Sequence, residues 1–170
     1  MMQATAEKKA AEAQTQQYCT FRISERLYGV NILEVKEIGP VVDYTPIFHA
    51  PKEIKGYVNI RGQIYLLLDL RLILGFEAKE VDNANRVVLF RPEVGESFAT
   101  LVDSIDNIHL VREEQIENRR GRDEKFSENE ERRGVDIAEG VCKMEKELLI
   151  VLNPQKLLHF ASSLKLYVEK

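Results

Sequence analysis

The stretch GYVNIRGQIYLLLDLR, residues 56–71, contains two apolar runs separated by the dipeptide Arg61-Gly62. In the second run, Leu66 and Leu68 lie on one face of an extended chain and Leu67 lies on the other. A strand with apolar residues on both faces is buried on both sides. Glycine accepts a positive φ, so the dipeptide fits a tight turn. The stretch therefore predicts a central β-hairpin.

The rest of the chain predicts more short strands. A period of two residues indicates half-buried strands, and Gly and Pro mark the turns between them. The expected strands are YCTFRI, RLYGVNI, VVDYTPI, RVVLF, SFATLV, DNIHLV, GVCKM and ELLIVLN. Short helical segments are expected in ILEVKEI and DLRLILGF. A final helix is expected after Asn153, as its N-cap, with Pro154 at the first helical position.

These elements predict an all-β protein. About ten short strands with frequent turns are typical of barrels and sandwiches, and exceed what one small barrel needs. Two barrels packed together also explain a central hairpin that is apolar on both faces. Residues 1–16 are polar and alanine-rich and are expected to form a flexible tail. The charged segment at about 117–134 is expected to be a solvated loop.

Composition excludes several classes of protein. The chain has 170 residues, 44% of them hydrophobic, which is enough for a packed core. Its formal net charge of −4 argues against a nucleic-acid-binding barrel, as does the lack of aromatic residues interleaved with basic ones. No apolar run approaches the ~20 residues of a membrane span, and no signal peptide is recognisable. The sequence predicts a soluble, cytoplasmic protein without direct membrane insertion.

The sequence also lacks a catalytic constellation. Its three histidines, His49, His109 and His159, match no metal-ligand spacing. Cys19 and Cys142 share strand faces with apolar residues, which is typical of small core residues rather than nucleophiles. A small hydrolase with an Arg/Asp site would lack its nucleophile and base. We therefore expect no enzymatic activity, no metal and no cofactor.

Five polar residues interrupt the apolar pattern: Glu37, Asn59, Arg61, Asp69 and Arg71. They are consistent with turns and strand ends satisfied by ordinary hydrogen bonds. They are equally consistent with a groove in which a carboxylate holds Arg61, because an unpaired guanidinium beside apolar strands is costly. Arginine in an apolar rim is also a common interface hot spot. The residues alone leave both interpretations open.

A family resemblance favours the second interpretation. TFRISERLYGVNILEVKEI, followed by PKEIKGYVNIRGQIYLLLDLRLILG, resembles the signature of the CheW family of chemotaxis coupling proteins. The later segments VVLF, LVDSIDNI, EQI and LLIVLNPQKLL continue the resemblance, which covers about residues 17–159. It implies two packed five-stranded β-barrels around a shared hydrophobic core, with short helices. Residues 160–170 would then be the end of the C-terminal helix and a tail.

The resemblance implies a non-enzymatic adaptor. Such proteins couple the cytoplasmic tip of a chemoreceptor, a methyl-accepting chemotaxis protein, to the regulatory domain of the histidine kinase CheA, at membrane-associated receptor arrays. The receptor helix would bind in the groove between the barrels, where Arg61 would pair with Glu37. The receptor-binding residues carried over by motif are Val35, Glu37, Gly56, Asn59 and Arg61. The kinase would contact the far barrel, where the nearest matches are Tyr44, Gly62 and Ile64.

Two departures from the family pattern stand out. The charged segment after EQI is longer than usual, and Tyr44 stands where a smaller aliphatic residue is common.

Two related functions are alternatives to this adaptor. The chain is also consistent with a scaffold of a paralogous receptor–kinase array, serving surface motility or gene regulation. A regulatory module from a kinase, or from a coupling protein with a receiver domain, is disfavoured because no acidic phosphorylation pocket is present.

Overall fold

The computed structural model describes residues 15–95, 97–118 and 137–168, which form β-strands and a few short helical segments. The strands are β1 (Thr15–Ile23), β2 (Arg26–Asn31), β3 (Val35–Pro40), β4 (Tyr44–Thr45), β5 (Ile54–Ile60), β6 (Gln63–Asp69), β7 (Arg86–Phe90), β8 (Phe98–Val102), β9 (Ser104–Arg112), β10 (Ile116–Asn118), β11 (Ala138–Lys143) and β12 (Leu148–Leu152). The α-helices are α1 (Leu70–Ile73) and α2 (Pro154–Val168), and 3-10 turns occupy Ile32–Glu34, Pro92–Val94 and Glu113–Gln115. None of these helices is long and apolar enough to cross a membrane.

The strands form two six-stranded sheets. The first sheet has the order β10-β11-β12-β2-β1-β9, and the second has the order β3-β7-β8-β6-β5-β4. Pairing is antiparallel except between β12 and β2 and between β6 and β8. The predicted all-β class is confirmed. Each sheet has five strands of five or more residues and one short edge strand, β10 or β4, which explains six strands where five were expected.

Three hydrophobic clusters show how the sheets pack. The first sheet encloses an inner core that includes Tyr18 and Leu149. The second sheet encloses its own inner core, which includes Tyr65 and Leu67. The largest cluster, the shared core, draws residues from both sheets. Its members include Phe21, Ile23, Tyr28, Val30, Val35, Leu66, Leu68, Val88, Phe90 and Phe98.

Strand β6 separates the shared core from the inner core of the second sheet. Leu66 and Leu68 pack in the shared core, whereas Tyr65 and Leu67 pack in the inner core. This is the double burial expected from the apolar residues on both faces of the hairpin. Among the described residues, no hydrogen-bonded ladder joins the two edges of either sheet.

The turn of the central hairpin has the expected form. Ile60 pairs with Gln63, so Arg61 and Gly62 form a two-residue loop. Their φ values are 53° and 84°. Positive φ at both positions is the signature of a type I′ turn, whose twist matches that of the flanking strands. The turn therefore projects Arg61 from the tip of the hairpin.

Two segments differ from their predicted form. A helical segment was expected in ILEVKEI, but the helical part is one 3-10 turn, Ile32–Glu34, and the strand β3 follows at once. The apolar spacing in this segment fits a strand because β3 carries a β-bulge between Val35 and Glu37. The strand expected in VVDYTPI is only Tyr44–Thr45. Pro46 ends it, since proline has no N–H to donate to a ladder.

Side-chain caps begin both helices. Asp69 is buried and accepts a hydrogen bond from the Leu72 amide (3.3 Å), which starts α1. Asn153 accepts hydrogen bonds from the amides of Gln155 (2.9 Å) and Lys156 (3.2 Å), so its predicted role as N-cap is confirmed. Asp69 also pairs with Lys55 at 3.4 Å, and this ion pair offsets the cost of burying the Asp69 carboxylate. Asp69 is thus a structural residue.

Arg71 and Asp103 join the two sheets. Arg71, in α1, donates from Nη2 to Asp103 Oδ2 at 2.5 Å. The same carboxylate accepts a hydrogen bond from the Ser24 amide in the β1–β2 turn of the first sheet (2.8 Å). Both charged side chains are largely buried. Charge-assisted hydrogen bonds in such a site fix geometry, so this joint holds the sheets in one relative orientation.

The predicted domain boundaries fall partly on described residues. Strand β1 begins at Thr15, which pairs with Arg112, two residues before the expected start at residue 17. Residues 1–14 of the predicted tail, and 119–134 of the predicted loop, lie outside the described residues. Glu117 and Asn118, at the start of that predicted loop, belong to β10 and pair with β11.

Thr100 and Thr20 provide a stability prediction. Both side chains are fully buried, but Thr20 donates to the Asn107 carbonyl, whereas Thr100 Oγ1 has no hydrogen-bond partner within the described part of the chain. A buried unsatisfied hydroxyl costs ~1–3 kcal/mol. We expect Thr100→Val to raise the free energy of unfolding by ~1 kcal/mol in urea denaturation, and Thr20→Val to lower it by a similar amount. Destabilisation by Thr100→Val would show that the hydroxyl has a partner.

Candidate functional site

The predicted pairing of Arg61 with Glu37 is present. Arg61 Nη2 lies 2.9 Å from Glu37 Oε1, at the tip of the central hairpin. The Arg61 side chain is 79% exposed and that of Glu37 is 29% exposed. Exposed ion pairs contribute only ~0–1 kcal/mol to stability. Among the described residues, the contact that the Arg61 guanidinium makes is this ion pair, so its other donors are available to a partner.

This ion pair spans a wide part of the second sheet. Glu37 lies on the edge strand β3, and Arg61 lies in the turn just before the start of β6. Strands β7 and β8 separate β3 from β6, so a flat sheet would place these two strands ~14 Å apart. A direct contact requires the sheet to curl until β3 approaches the hairpin. Curvature thus places the two charged residues together.

Asn59 and Gly62 shape the turn. Asn59 Oδ1 accepts a hydrogen bond from the Gly62 amide at 3.0 Å, which closes the turn around Arg61. A Cβ atom built at Gly62 would meet nothing within 4 Å, so the space beside the turn is open. Both residues are exposed. In the isolated chain, Asn59 therefore orients the loop that carries the arginine.

Val35 and Gly56 are buried. Val35 is 8% exposed and belongs to the shared core, where it pairs across the ladder with Phe90. Gly56 has a φ of +146°, and a Cβ atom there would lie 2.1 Å from the Thr45 carbonyl oxygen. These two positions support the strands that carry Glu37 and Asn59. Their assignment as receptor-binding residues stays a prediction.

The predicted kinase-binding residues adjoin the predicted receptor-binding residues. Gly62 follows Arg61 in the turn, and Ile64, 52% exposed, pairs across the hairpin with Asn59. Tyr44 is half-buried against the inner core of the same sheet. The expectation that these three residues lie on the other barrel from Arg61 is wrong, because β4, β5 and β6 are neighbours in the second sheet. Their assignment as kinase-binding residues stays a prediction.

The edge strand β9 carries an exposed apolar pair that the sequence analysis missed. Ile108 is 58% exposed and Leu110 is 67% exposed. Ile108 pairs with Cys19, which packs in the shared core, and paired residues in a ladder point to the same face. Ile108 and Leu110, the β9 strip, therefore extend the face of the first sheet that lines the shared core.

A second strip extends the same core on the other sheet. Tyr57 pairs with Leu66, a member of the shared core, and Asn59 pairs with Ile64. The exposed side chains of Tyr57, Asn59 and Ile64, the hairpin strip, therefore continue the face of the second sheet that lines the shared core. In a sequence, apolar residues at alternating strand positions predict a buried face. Whether each residue is buried depends on how far the opposite sheet covers that face, which only the structure shows.

A short connection links the two sheets. The 3-10 turn Ile32–Glu34 joins β2 to β3 and exposes Leu33, whose amide donates to Asn31 Oδ1 at 2.9 Å. Burial, followed by the nearby Glu139 carboxylate, raises the pKa of Glu34. The segment that leads to Glu37 thus combines a protruding leucine with a partly desolvated carboxylate.

The chemistry of the described residues favours binding over catalysis. Burial raises the pKa of the thiols of Cys19 and Cys142, so neither is an activated nucleophile. The described ranges contain no group of three or more His, Cys, Asp or Glu side chains that could hold a metal ion. Exposed apolar strips with a charged pair at their rim are typical of protein-binding surfaces.

Comparisons with known proteins point to one family. The family model described as CheW-like domain matches residues 17–162. The chemotaxis protein CheW of Klebsiella aerogenes is 32% identical over 113 residues, covering 66% of this chain and 68% of that protein. The chemotaxis protein CheW of Bacillus subtilis is 25% identical over 163 residues, covering 94% of both.

A solved structure shares the fold. The scaffolding protein TtCheW from Thermoanaerobacter tengcongensis superposes with a TM-score of 0.69 and 23% sequence identity. The match covers 81% of this chain and 88% of that one. The similarity extends across both sheets, so the packed two-sheet architecture is that of a known scaffold.

Proposed function

Since this chain belongs to the CheW family, we propose that it is a coupling adaptor that joins a chemoreceptor to the histidine kinase CheA. Members of the family are scaffolds in chemotaxis signalling rather than enzymes. The partners proposed here are the cytoplasmic tip of a methyl-accepting chemotaxis protein and the regulatory domain of CheA. Binding to the receptor would recruit the adaptor to membrane-associated arrays.

The observation that carries the receptor half of the proposal is the pair of apolar strips beside the shared core. An amphipathic helix binds by placing its apolar face in a hydrophobic groove. The β9 strip supplies two exposed aliphatic side chains, and the hairpin strip supplies Tyr57 and Ile64. Arg61 and Glu37 would contact polar groups at the rim of the helix.

The kinase half of the proposal rests on Tyr44, Gly62 and Ile64. Gly62 and Ile64 are open to solvent, and Tyr44 anchors β4 to the inner core of the second sheet. Because Gly62 and Ile64 adjoin Arg61 on the hairpin, the hairpin would be in contact with both partners in a ternary complex. A shared hairpin gives a physical route by which occupancy of one partner's site affects the other.

Titration of a labelled receptor-tip fragment tests the receptor half. Arg61→Glu places two carboxylates together at the rim, and Ile108→Asp places a charge in the apolar strip. We expect each to weaken receptor binding about thirtyfold or more, equivalent to ~2 kcal/mol. Leu148→Asp changes an equally exposed residue of the first sheet outside both strips, and is expected to change affinity less than twofold.

Circular dichroism and thermal melting would establish that each variant is folded. If Arg61 only braces Glu37, Arg61→Glu will lower thermal stability, and the swap Arg61→Glu with Glu37→Arg will restore it without a receptor defect. Titration of the CheA regulatory domain in parallel tests the other half, with Tyr44→Ala as the kinase-site variant because Tyr44 lies outside both strips. Wild-type affinity for the receptor tip in folded Arg61→Glu and Ile108→Asp proteins would contradict the receptor half.

A further inference from the structure

Lys36 connects β3 to the central hairpin beside the Arg61–Glu37 pair. Its Nζ donates to the Tyr65 hydroxyl at 2.8 Å and to Gln63 Oε1 at 3.3 Å. The Tyr65 hydroxyl donates to the same Gln63 oxygen at 3.1 Å. The ammonium also lies 5.6 Å from the centre of the Tyr65 ring, within the range of a cation–π contact. We call Lys36, Gln63 and Tyr65 the clasp.

The clasp holds a part of the hairpin that the sheet itself leaves unsupported. Pairing of β6 with β8 begins only at Leu66 and Phe98. Residues 60–65 therefore extend past the end of β8 as a two-stranded ribbon, which is marginally stable alone. Within the described residues, its polar side-chain tethers from outside the hairpin are Lys36, Glu37 and Ser97, which accepts from Gln63 Nε2 at 2.9 Å.

The tethers differ in their environment. The Arg61–Glu37 pair is exposed to water and screened, so it holds the ribbon weakly. The Tyr65 side chain is buried in the inner core, so its hydroxyl is held in a fixed position. A charged donor on a fixed acceptor gives one of the stronger types of hydrogen bond. Lys36 and Gln63 are themselves exposed, so the buried Tyr65 acceptor is what makes Lys36 the firmer of the two side-chain links between β3 and the ribbon.

We propose that Lys36 is a positioning residue of the docking surface. Through Tyr65 and Gln63 it holds residues 60–65 against β3 and keeps Arg61 within reach of Glu37, in the geometry that a partner meets. Lys36 itself need not touch the partner. The effect on receptor affinity rests on the proposed function, whereas the effect on the ribbon does not.

Native-state hydrogen exchange by NMR tests the effect on the ribbon. Lys36→Met keeps the aliphatic stem and removes the ammonium, and Tyr65→Phe removes the hydroxyl and keeps the ring. We expect either variant to accelerate exchange of the Gly62 and Gln63 amides about tenfold, with much smaller changes in β7 and β8. Lys36→Arg retains the donors and should restore most of the protection. Lys79→Met removes the lysine of an exposed ion pair with Asp82 and should leave the ribbon unchanged.

The double variant Lys36→Met with Tyr65→Phe should accelerate ribbon exchange no more than the stronger single variant, because both changes break the same contact. Additive effects, or unchanged exchange in Lys36→Met, would overturn the proposal. If Lys36→Met does not fold, the comparison of Tyr65→Phe with wild type decides the same point.

Titration of the receptor-tip fragment provides the second readout. A loosened ribbon presents Arg61 in several orientations, so we expect Lys36→Met to weaken binding about fivefold, and Lys79→Met to leave it unchanged. The positioning role would be overturned if wild type binds the receptor tip and Lys36→Met binds it equally well although its ribbon amides exchange faster. Failure of wild type to bind any receptor tip would instead contradict the proposed function, and exchange would still decide whether Lys36 holds the ribbon.

Discussion

Gly56→Ala is expected to lower the free energy of unfolding by about 3–5 kcal/mol. The added Cβ would lie 2.1 Å from the carbonyl oxygen of Thr45 and 2.9 Å from the Cα of Pro46, and neither backbone atom can move without displacing β4. The φ of +146° adds strain, because L-residues rarely adopt it. Overpacking and backbone strain cost ~1–3 kcal/mol each. The urea midpoint of the variant measures the loss.

Gly39→Ala is the matched control for Gly56→Ala. Gly39 lies on β3 of the same sheet, where a Cβ would meet nothing within 4 Å, so its stability should change by less than ~0.5 kcal/mol. Wild-type stability in Gly56→Ala would show that β4 moves freely. A receptor defect in that stable variant would favour a direct role of Gly56 in binding, which its burial argues against.

Leu68→Ala is expected to cost about 3–5 kcal/mol and to destabilise both sheets. Leu68 is fully buried on β6 and packs in the shared core. Truncating a buried leucine loses apolar burial and leaves a cavity, at a cost of ~2–5 kcal/mol. The shared core contains residues of both sheets, so neither sheet keeps its packing when the other unfolds. We therefore expect one cooperative unfolding transition in urea.

Hydrogen exchange would show how far the effect extends. The most protected amides of β1 in the first sheet and β8 in the second should exchange faster by the same factor in Leu68→Ala. Leu148→Ala truncates a half-exposed leucine of β12 and should change stability by less than ~1 kcal/mol. Faster exchange confined to the second sheet would mean that the two sheets fold independently, contrary to a shared core.

Some of the features behind these predictions can be read from the sequence alone. The type I′ turn at Arg61-Gly62 follows from a glycine beside two apolar runs, because so few residues accept a positive φ. The N-cap at Asn153 follows from an amide side chain followed by proline. The double burial of β6 follows from apolar residues on both faces. In each case the physical cause lies within a few residues of the chain.

The candidate site was only partly predictable. The motif containing Asn59 and Arg61 identified the hairpin tip, and the partner of Arg61 was correctly expected to be Glu37. The strand expected around Ile108 is present, but its apolar residues read as core because alternation in a sequence does not show where the opposite sheet ends. Val35 was expected to bind the receptor but is buried, because the shared core covers the start of β3.

By itself, therefore, the sequence determined the all-β class, the central hairpin, its turn and the family to which the chain belongs. The tertiary structure alone decided that Glu37 and Arg61 meet across a curled sheet, that Lys36 holds the ribbon, and that the predicted receptor and kinase residues lie side by side. Local features depend on backbone conformation and short-range hydrogen bonds. Contacts between β3 and the hairpin depend on the curvature of six paired strands, which no short segment specifies.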